Sequence, residues 1–138
     1  MKRKVFYIAI VFVALAGCAQ KWASGRPAAY NLAKGTSASF NGIIITITDI
    51  KESRCPMNAR CIRAGEAIAQ FTIHHKQQTQ TFALCTGADC KQTQGGPKTI
   101  ISFNGTQYEF DLKDITPNPT RTLIQQEQRV TFSIKKAG

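Results

Sequence analysis

The sequence has 138 residues, of which 43% are hydrophobic and 19% are charged, and its formal net charge is +10 at pH 7. The length suits one domain, and the composition excludes a wholly disordered chain, a collagenous chain and a protein with many membrane spans. With only 2 histidines, the chain has little material for a histidine-rich metal site.

The N-terminal residues have the pattern of an export signal. Lys2, Arg3 and Lys4 form a basic start, and residues 5–15 form an uninterrupted apolar run of 11 residues. A membrane-spanning helix needs about 20 apolar residues, so this run fits the helical apolar region of a signal peptide instead. We therefore assign residues 1–17 to a signal peptide, whose removal lowers the net charge from +10 to +7.

The motif Leu15-Ala16-Gly17-Cys18 follows this run and resembles the lipobox of bacterial lipoproteins. The resemblance implies that the Cys18 thiol receives a diacylglycerol, that the chain is cut before Cys18, and that the new amine is acylated. Several acyl chains would anchor the protein stably, because each buried CH₂ contributes about 0.8 kcal/mol. The alternative is an ordinary secretory signal that ends at a chance cysteine.

The same resemblance implies a location in the bacterial cell envelope. Ala19, rather than Asp, follows the lipobox cysteine. In bacteria with an outer membrane, this resembles the signal for that membrane, with the protein facing the periplasm. Residues 18–28 show no hydrophobic period and predict a lipidated tether before a folded domain over residues 29–138.

Alternating apolar residues predict that residues 29–138 form an all-β domain. Asn41-Gly42 and Asn104-Gly105 each separate two β-prone runs, and Asn-Gly is a strong hairpin signal because both residues accept positive φ. The predicted strands cover residues 37–40, 43–50, 66–75, 78–84, 99–103, 106–112 and 129–135. About seven short antiparallel strands favour a small β-sandwich after the signal-peptide helix, with a small β-barrel as the alternative.

One residue in two along these strands is predicted to face the core, as a half-buried strand requires. These residues are Ile43, Ile45, Ile47, Ala67, Ala69, Phe71, Ile73, Phe82, Leu84, Tyr108, Phe110, Leu112, Val130, Phe132 and Ile134.

Four cysteines remain in the domain: Cys55, Cys61, Cys85 and Cys90. An even number in an exported protein indicates disulfide bonds, and three pairings are open. The spacing favours Cys55–Cys61 and Cys85–Cys90, because each pair brackets one polar loop at a strand end, while pairing across the loops is the alternative. A zinc site is a further alternative, although structural zinc sites prefer C-x₂₋₄-C spacing and the gaps here are five and four residues.

The segment around the first two cysteines reads Ser53-Arg54-Cys55-Pro56, then Cys61-Ile62-Arg63-Ala64-Gly65-Glu66-Ala67. It resembles a group of small bacterial lipoproteins and secreted proteins with S-R-C-P followed by C-x-W-x-G-x-A. This chain has Arg63 where that group carries Trp. The group has no assigned activity, so the resemblance implies architecture and location only.

Once the signal peptide is set aside, Arg54, Arg60 and Arg63 are the one local cluster of positive charge in the sequence. Rigid loops carrying these arginines would suit an acidic ligand or partner. The alternative is that the arginines only aid solubility. The sequence has no basic run and no aromatic-interleaved basic patch, so we expect no nucleic-acid binding.

No catalytic motif is present in the sequence: it has no G-x-S-x-G elbow, no H-E-x-x-H and no Gly-rich phosphate loop. We therefore assign no catalytic residue, no metal ligand and no cofactor. His74 and His75 are adjacent on a predicted strand and should point to opposite faces. Asp89, between Cys85 and Cys90, is predicted to cap a turn rather than to bind calcium, which needs several more oxygen ligands.

These features favour a non-catalytic envelope lipoprotein that contacts the lipid bilayer through acylated Cys18 and binds an unknown envelope protein or acidic ligand. The alternative is an inhibitor or protection factor that presents the Cys55–Cys61 loop to an envelope hydrolase. An enzyme or a metal carrier is the third interpretation. We expect a monomer, because no amphipathic helix follows the signal.

Overall fold

The alternating apolar residues form eight β-strands. The structure is a computed structural model that describes residues 26–90, 96–119 and 127–137. The strands are β1 (Ala28–Ala33), β2 (Ser37–Phe40), β3 (Ile43–Glu52), β4 (Ala67–His75), β5 (Gln78–Thr86), β6 (Lys98–Phe103), β7 (Thr106–Thr116) and β8 (Arg129–Ala137). The signal peptide of residues 1–17, Cys18 and most of the expected tether lie outside the described residues.

The strands form two four-stranded antiparallel sheets, so the predicted all-β sandwich is confirmed. Sheet I has the order β1-β8-β7-β6, and sheet II has the order β2-β3-β4-β5. Both Asn-Gly hairpins form, and Asn41 and Asn104 have φ values of 48° and 51°. These two turns and the turn at residues 76–77 lie at one end of the sandwich, which we call the hairpin end.

The sequence predicted about seven strands, and β1 is the strand that it missed. Its sequence is rich in alanine and lacks a clear hydrophobic alternation. The strand forms because it pairs with β8, from Ala28 opposite Ile134 to Ala33 opposite Arg129. The first strand of the described residues therefore begins at Ala28, a residue that the sequence placed in the tether.

The core lies between the two sheets. Every residue predicted to face it is buried except Phe82, which is partly buried. Phe71 is the centre of an aromatic cluster, with its ring centroid 5.1 Å from those of Phe82 and Phe132. Phe82 also lies 4.7 Å from Phe110 in the other sheet. These ring contacts join sheet II to sheet I.

Two β-bulges change which residues face the core. The register of β3 shifts between Ile47 and Asp49, and that of β7 shifts between Leu112 and Asp114. A bulge inserts one extra residue, so the side chains beyond it exchange faces. As a result Ile115 is fully buried and Ile50 packs against the core. Period-2 alternation in the sequence does not indicate either change.

Candidate functional site

Three loops meet at the end of the sandwich opposite the hairpin end. They are residues 53–66 between β3 and β4, residues 87–90 after β5, and residues 117–119 after β7. The Met57 N–H donates to the Pro119 carbonyl at 3.0 Å, which joins the first loop to the third. We call these three segments together the disulfide end.

Two disulfide bonds hold this end, and the local pairing is the one that the structure contains. Cys55 is bonded to Cys61 with their Cα atoms 5.8 Å apart, and Cys85 is bonded to Cys90 with a Cα separation of 5.4 Å. All four thiols are therefore used in disulfides, and none remains to hold zinc. Each bond closes a short loop, and such a bond stabilises the fold mainly by restricting the unfolded chain.

The base of the 53–66 loop is closed by Ser53. Its N–H and its hydroxyl both donate to the Glu66 carbonyl at 2.8 Å. Beside this closure lies Gly65, whose φ is +76° and whose missing Cβ would stand 1.9 Å from the Ser53 carbonyl oxygen. Only glycine fits this position, because a side chain would occupy the place of the Ser53 carbonyl.

Asp89 joins the two disulfide loops. Its carboxylate accepts hydrogen bonds from the Gly65 N–H at 3.0 Å and from Arg63 Nε at 3.3 Å. The Asp89 N–H in turn donates to the Gly65 carbonyl at 3.2 Å. The sequence predicted that Asp89 caps a turn, whereas its carboxylate instead bonds across to the 53–66 loop and joins the two loops.

Arg54 does not lie on the exposed surface of the disulfide end. Its side chain is only 11% exposed, and its Nε and Nη2 atoms donate to the two Glu52 carboxylate oxygens at 2.9 and 2.6 Å. Nη1 donates to Asn118 Oδ1 at 2.7 Å, and Nη2 also donates to the Ile115 carbonyl at 2.8 Å. The guanidinium therefore links β3 in sheet II to β7 in sheet I, and it is not free to bind a ligand.

The carboxylate of Glu52 is held in its charged form by these contacts. Burial raises the pKa of Glu52, but hydrogen bonds from Arg54 and Gln128 outweigh burial and leave the pKa below its ordinary value. Gln128 Nε2 donates to Glu52 Oε2 at 2.7 Å. Sequence reasoning missed this network. The one signal was the opposite charges of Glu52 and Arg54 two residues apart at a strand end, where side chains share a face.

The exposed part of the disulfide end is both cationic and apolar. Of the three arginines in the predicted cluster, Arg60 and Arg63 are exposed. Met57 is 70% exposed and Ile62 is fully exposed. Met57 and Arg60 lie within the loop that the Cys55–Cys61 disulfide closes, and Ile62 and Arg63 follow it directly. The sequence analysis did not single out these two apolar residues.

The histidines at the other end of β4 do not form a common site. His74 Nδ1 lies 2.9 Å from Thr79 Oγ1, while His75 Nδ1 lies 2.7 Å from the Gly42 carbonyl oxygen. The two rings thus have separate partners, as their adjacency on a strand predicted. Within the three described ranges, no group of three or more His, Cys, Asp or Glu residues is placed to bind a metal ion.

Comparison of the chain with protein-family models, curated proteins and solved structures found no match. In the part of the chain that the structure describes, no helix has the length and hydropathy needed to cross a bilayer.

Proposed function

We propose that the protein is a lipid-anchored bacterial envelope protein with a non-catalytic binding role. The observation that carries this proposal is Leu15-Ala16-Gly17-Cys18 directly after an apolar run of signal-peptide length. The two disulfide bonds support it, because such bonds persist in oxidising compartments outside the cytosol. In a bacterium with an outer membrane, Ala19 favours anchoring there, with the domain in the periplasm.

The direction of β1 supports exposure of the disulfide end to a partner. Arg129 begins β8 at the disulfide end, and β1 runs toward it from Ala28 to Ala33. The chain therefore enters the domain from the side of the hairpin end. Cys18 precedes Ala28 by ten residues, which is at most about 35 Å of extended chain. An anchor at Cys18 would leave the loops of the disulfide end on the side away from the tether.

The proposed binding surface consists of Met57, Arg60, Ile62 and Arg63. Two cations suit an acidic partner, and arginine binds carboxylates with a fixed planar geometry. Exposed apolar side chains among them suit a partner with an apolar contact at its centre, since buried apolar anchors and arginines carry much of the affinity of protein interfaces. The disulfide and Asp89 already order the loop, which lowers the entropic cost of binding.

Replacing Cys18 by serine should abolish lipidation and leave unprocessed precursor, because serine lacks the thiol that accepts the diacylglycerol. Metabolic labelling with a radioactive fatty acid, followed by gel electrophoresis, measures this. A Cys55→Ser/Cys61→Ser variant is the control, because it removes cysteines without touching the lipobox. Equal label on wild type and Cys18→Ser would contradict the anchor.

Reversing the charge at Arg60 and Arg63 to glutamate should remove the captured partner when the tagged full chain is cross-linked in intact cells and purified. The control is Lys76→Glu/Lys136→Glu at the hairpin end, which changes the net charge equally and should keep the partner. If both variants keep it, the disulfide end is not the binding surface. If both lose it, capture depends on net charge alone.

A second candidate, an inhibitor of an envelope hydrolase, is favoured by the exposure of Met57 within the Cys55–Cys61 loop and of Ile62 directly after it. Such a rigid loop fits an enzyme cleft with little loss of entropy. The captured partner separates the two functions. An inhibitor would recover a hydrolase and abolish its activity at a one-to-one ratio, whereas a binding protein would leave the activity of its partner intact.

A further inference from the structure

The outer edge of β5 carries backbone groups that point away from the molecule. β5 is an edge strand of sheet II, paired only with β4. In an antiparallel pair, residues alternate between bonding to the neighbouring strand and pointing outward. The two-residue turn at residues 76–77 makes His75 and Gln78 a hydrogen-bonded pair, so every second residue of β5 from Gln78 onward bonds to β4. The residues of β5 whose backbone groups point outward are therefore Thr79, Thr81, Ala83 and Cys85.

One contact supports this assignment and limits the open edge. The N–H of Cys85 donates to the Gly96 carbonyl at 3.3 Å, on the side away from β4. The outward N–H of Cys85 therefore already has a hydrogen-bond partner and is not available to another strand. Among the described residues, no backbone partner lies on this side of Thr79, Thr81 or Ala83. Within residues 26–90, 96–119 and 127–137, the outward N–H and carbonyl groups of these three residues therefore remain available for pairing.

The other edges of the sandwich carry features that discourage strand addition. β2 has only four residues, and the Tyr30 hydroxyl donates to its Ser39 carbonyl at 3.0 Å. On β1, the Asn31 carbonyl accepts a hydrogen bond from Arg129 Nη2 at 2.9 Å. β6 begins with Lys98. Short length, side-chain covering and lysine are recognised ways to block an edge.

β5 has none of these features. Its nine residues, QTQTFALCT, include no charge and no proline, and its register with β4 shows no bulge. Phe82 on its inner face is only partly buried, at the side of the sandwich where sheet II ends. An uncharged, unbroken edge next to a half-covered phenylalanine is a template for another strand.

We propose that β5 pairs antiparallel with β5 of a second copy of this chain, about a two-fold axis at Thr81. In this register Thr81 faces Thr81 of the second copy, and Thr79 faces its Ala83. Each of these pairs exchanges two backbone hydrogen bonds, so every open group of the three residues is satisfied. Shifting the register by two residues in either direction leaves open groups unpaired or places Cys85, which Gly96 already occupies, in the pairing.

A second copy fits this edge better than an unrelated peptide, because the edge is complementary to itself. A two-fold interface requires that each residue and its counterpart exchange the same contacts, and the centred register does so. The strand is neutral, so two copies meet without like charges along the seam. Gln80 of the second copy would lie beside Phe82 and cover it. This inference is independent of the lipid anchor, and it is an alternative to the monomer predicted from the sequence.

Cysteine cross-linking of the full chain tests the register. The variants are made in a Cys18→Ser background, because the other four cysteines are paired and no free thiol then remains. Thr81→Cys should form a disulfide-linked dimer under mild oxidation, since directly opposed residues of a bonded pair lie about 5.5 Å apart, within disulfide range. The dimer is seen on a non-reducing gel.

Two controls make the result specific. Thr79→Cys should not cross-link to itself, because the two copies of residue 79 would lie about 14 Å apart along the strands. A mixture of Thr79→Cys and Ala83→Cys chains should cross-link. Thr72→Cys, which lies opposite Thr81 on β4 and one strand inward, should remain uncross-linked.

The proposal is overturned if Thr81→Cys cross-links no more than Thr72→Cys, or if Ile100→Cys on the β6 edge cross-links and Thr81→Cys does not. Sedimentation provides a measurement without thiols. Thr81→Pro removes an outward N–H without removing a bond to β4, so it should keep the circular dichroism spectrum and lose the dimer. An unsubstituted full chain that sediments as a monomer at every concentration also overturns the proposal.

Discussion

Replacing Arg54 by alanine is expected to lower the free energy of unfolding by about 2–4 kcal/mol, because it leaves the Glu52 carboxylate without its main partner. The Arg54 side chain is 11% exposed and the Glu52 side chain is 20% exposed, so water cannot fully replace the lost contacts. The change also removes the hydrogen bonds from Arg54 to Asn118 and to the Ile115 carbonyl. Both sheets therefore lose a connection at the disulfide end.

Arg60→Ala is the matched control for this variant. Arg60 is exposed on the same loop, so its replacement should change the free energy of unfolding by no more than about 0.5 kcal/mol. Urea denaturation followed by circular dichroism measures both values. Equal effects of the two substitutions would show that Arg54 does not stabilise the fold through Glu52.

The acid response of the domain provides a second readout of the same ion pair. The pKa of Glu52 is lowered in the folded state, so its charged form adds stability that is present above its ordinary pKa of 4.5. This stability is lost as the pH falls through the lowered folded pKa. In the Glu52→Gln variant, the side chain at position 52 does not titrate. Its free energy of unfolding should therefore fall less than that of the wild type as the pH drops below about 4.5.

Replacing Gly65 by alanine is expected to be the most damaging single substitution at the disulfide end, with a loss of about 3 kcal/mol or more. The new Cβ would stand 1.9 Å from the Ser53 carbonyl oxygen and 2.9 Å from the Arg54 Cα, and both are backbone atoms. The loop would have to open to relieve the clash. Opening would break the Ser53 closure and move Arg54 away from β7.

Gly105→Ala separates this clash from the cost of the backbone conformation alone. The φ of Gly105 is +73°, close to the +76° of Gly65, but an added Cβ at Gly105 meets nothing within 4 Å. This control should lose only about 1–2 kcal/mol, the cost of a left-handed conformation for a residue with a Cβ. Thermal unfolding of both variants measures the difference. Similar melting temperatures would mean that the close approach at Gly65 does not constrain the loop.

Local sequence patterns were enough to predict most of the fold. Asn-Gly turns and period-2 alternation depend on neighbouring residues, and the two hairpins and the core residues predicted from them are confirmed. The local disulfide pairing also followed from spacing. Strand β1 could not be predicted from local sequence, because the alanine-rich segment from Ala28 to Ala33 becomes a strand only by pairing with β8, about a hundred residues later.

The candidate site could be predicted only in part, for the same reason. Arg54, Arg60 and Arg63 look equivalent in the sequence, since each is a cation near the first two cysteines. In the tertiary structure Arg54 turns inward to Glu52, Asn118 and the Ile115 carbonyl, and Arg63 contacts Asp89. Whether a cation is buried or exposed depends on partners distant in the chain.

The sequence by itself determined the signal-peptide and lipobox patterns, the two-sheet class of fold and the spacing of the cysteines, because each depends on residues close together in the chain. Only the tertiary structure decided the bulges that turn Ile50 and Ile115 inward, the role of Arg54 and, among the described residues, the position of β5 at the edge of sheet II. Each of these depends on how one strand lies against another, and a long-range register leaves no mark in local alternation.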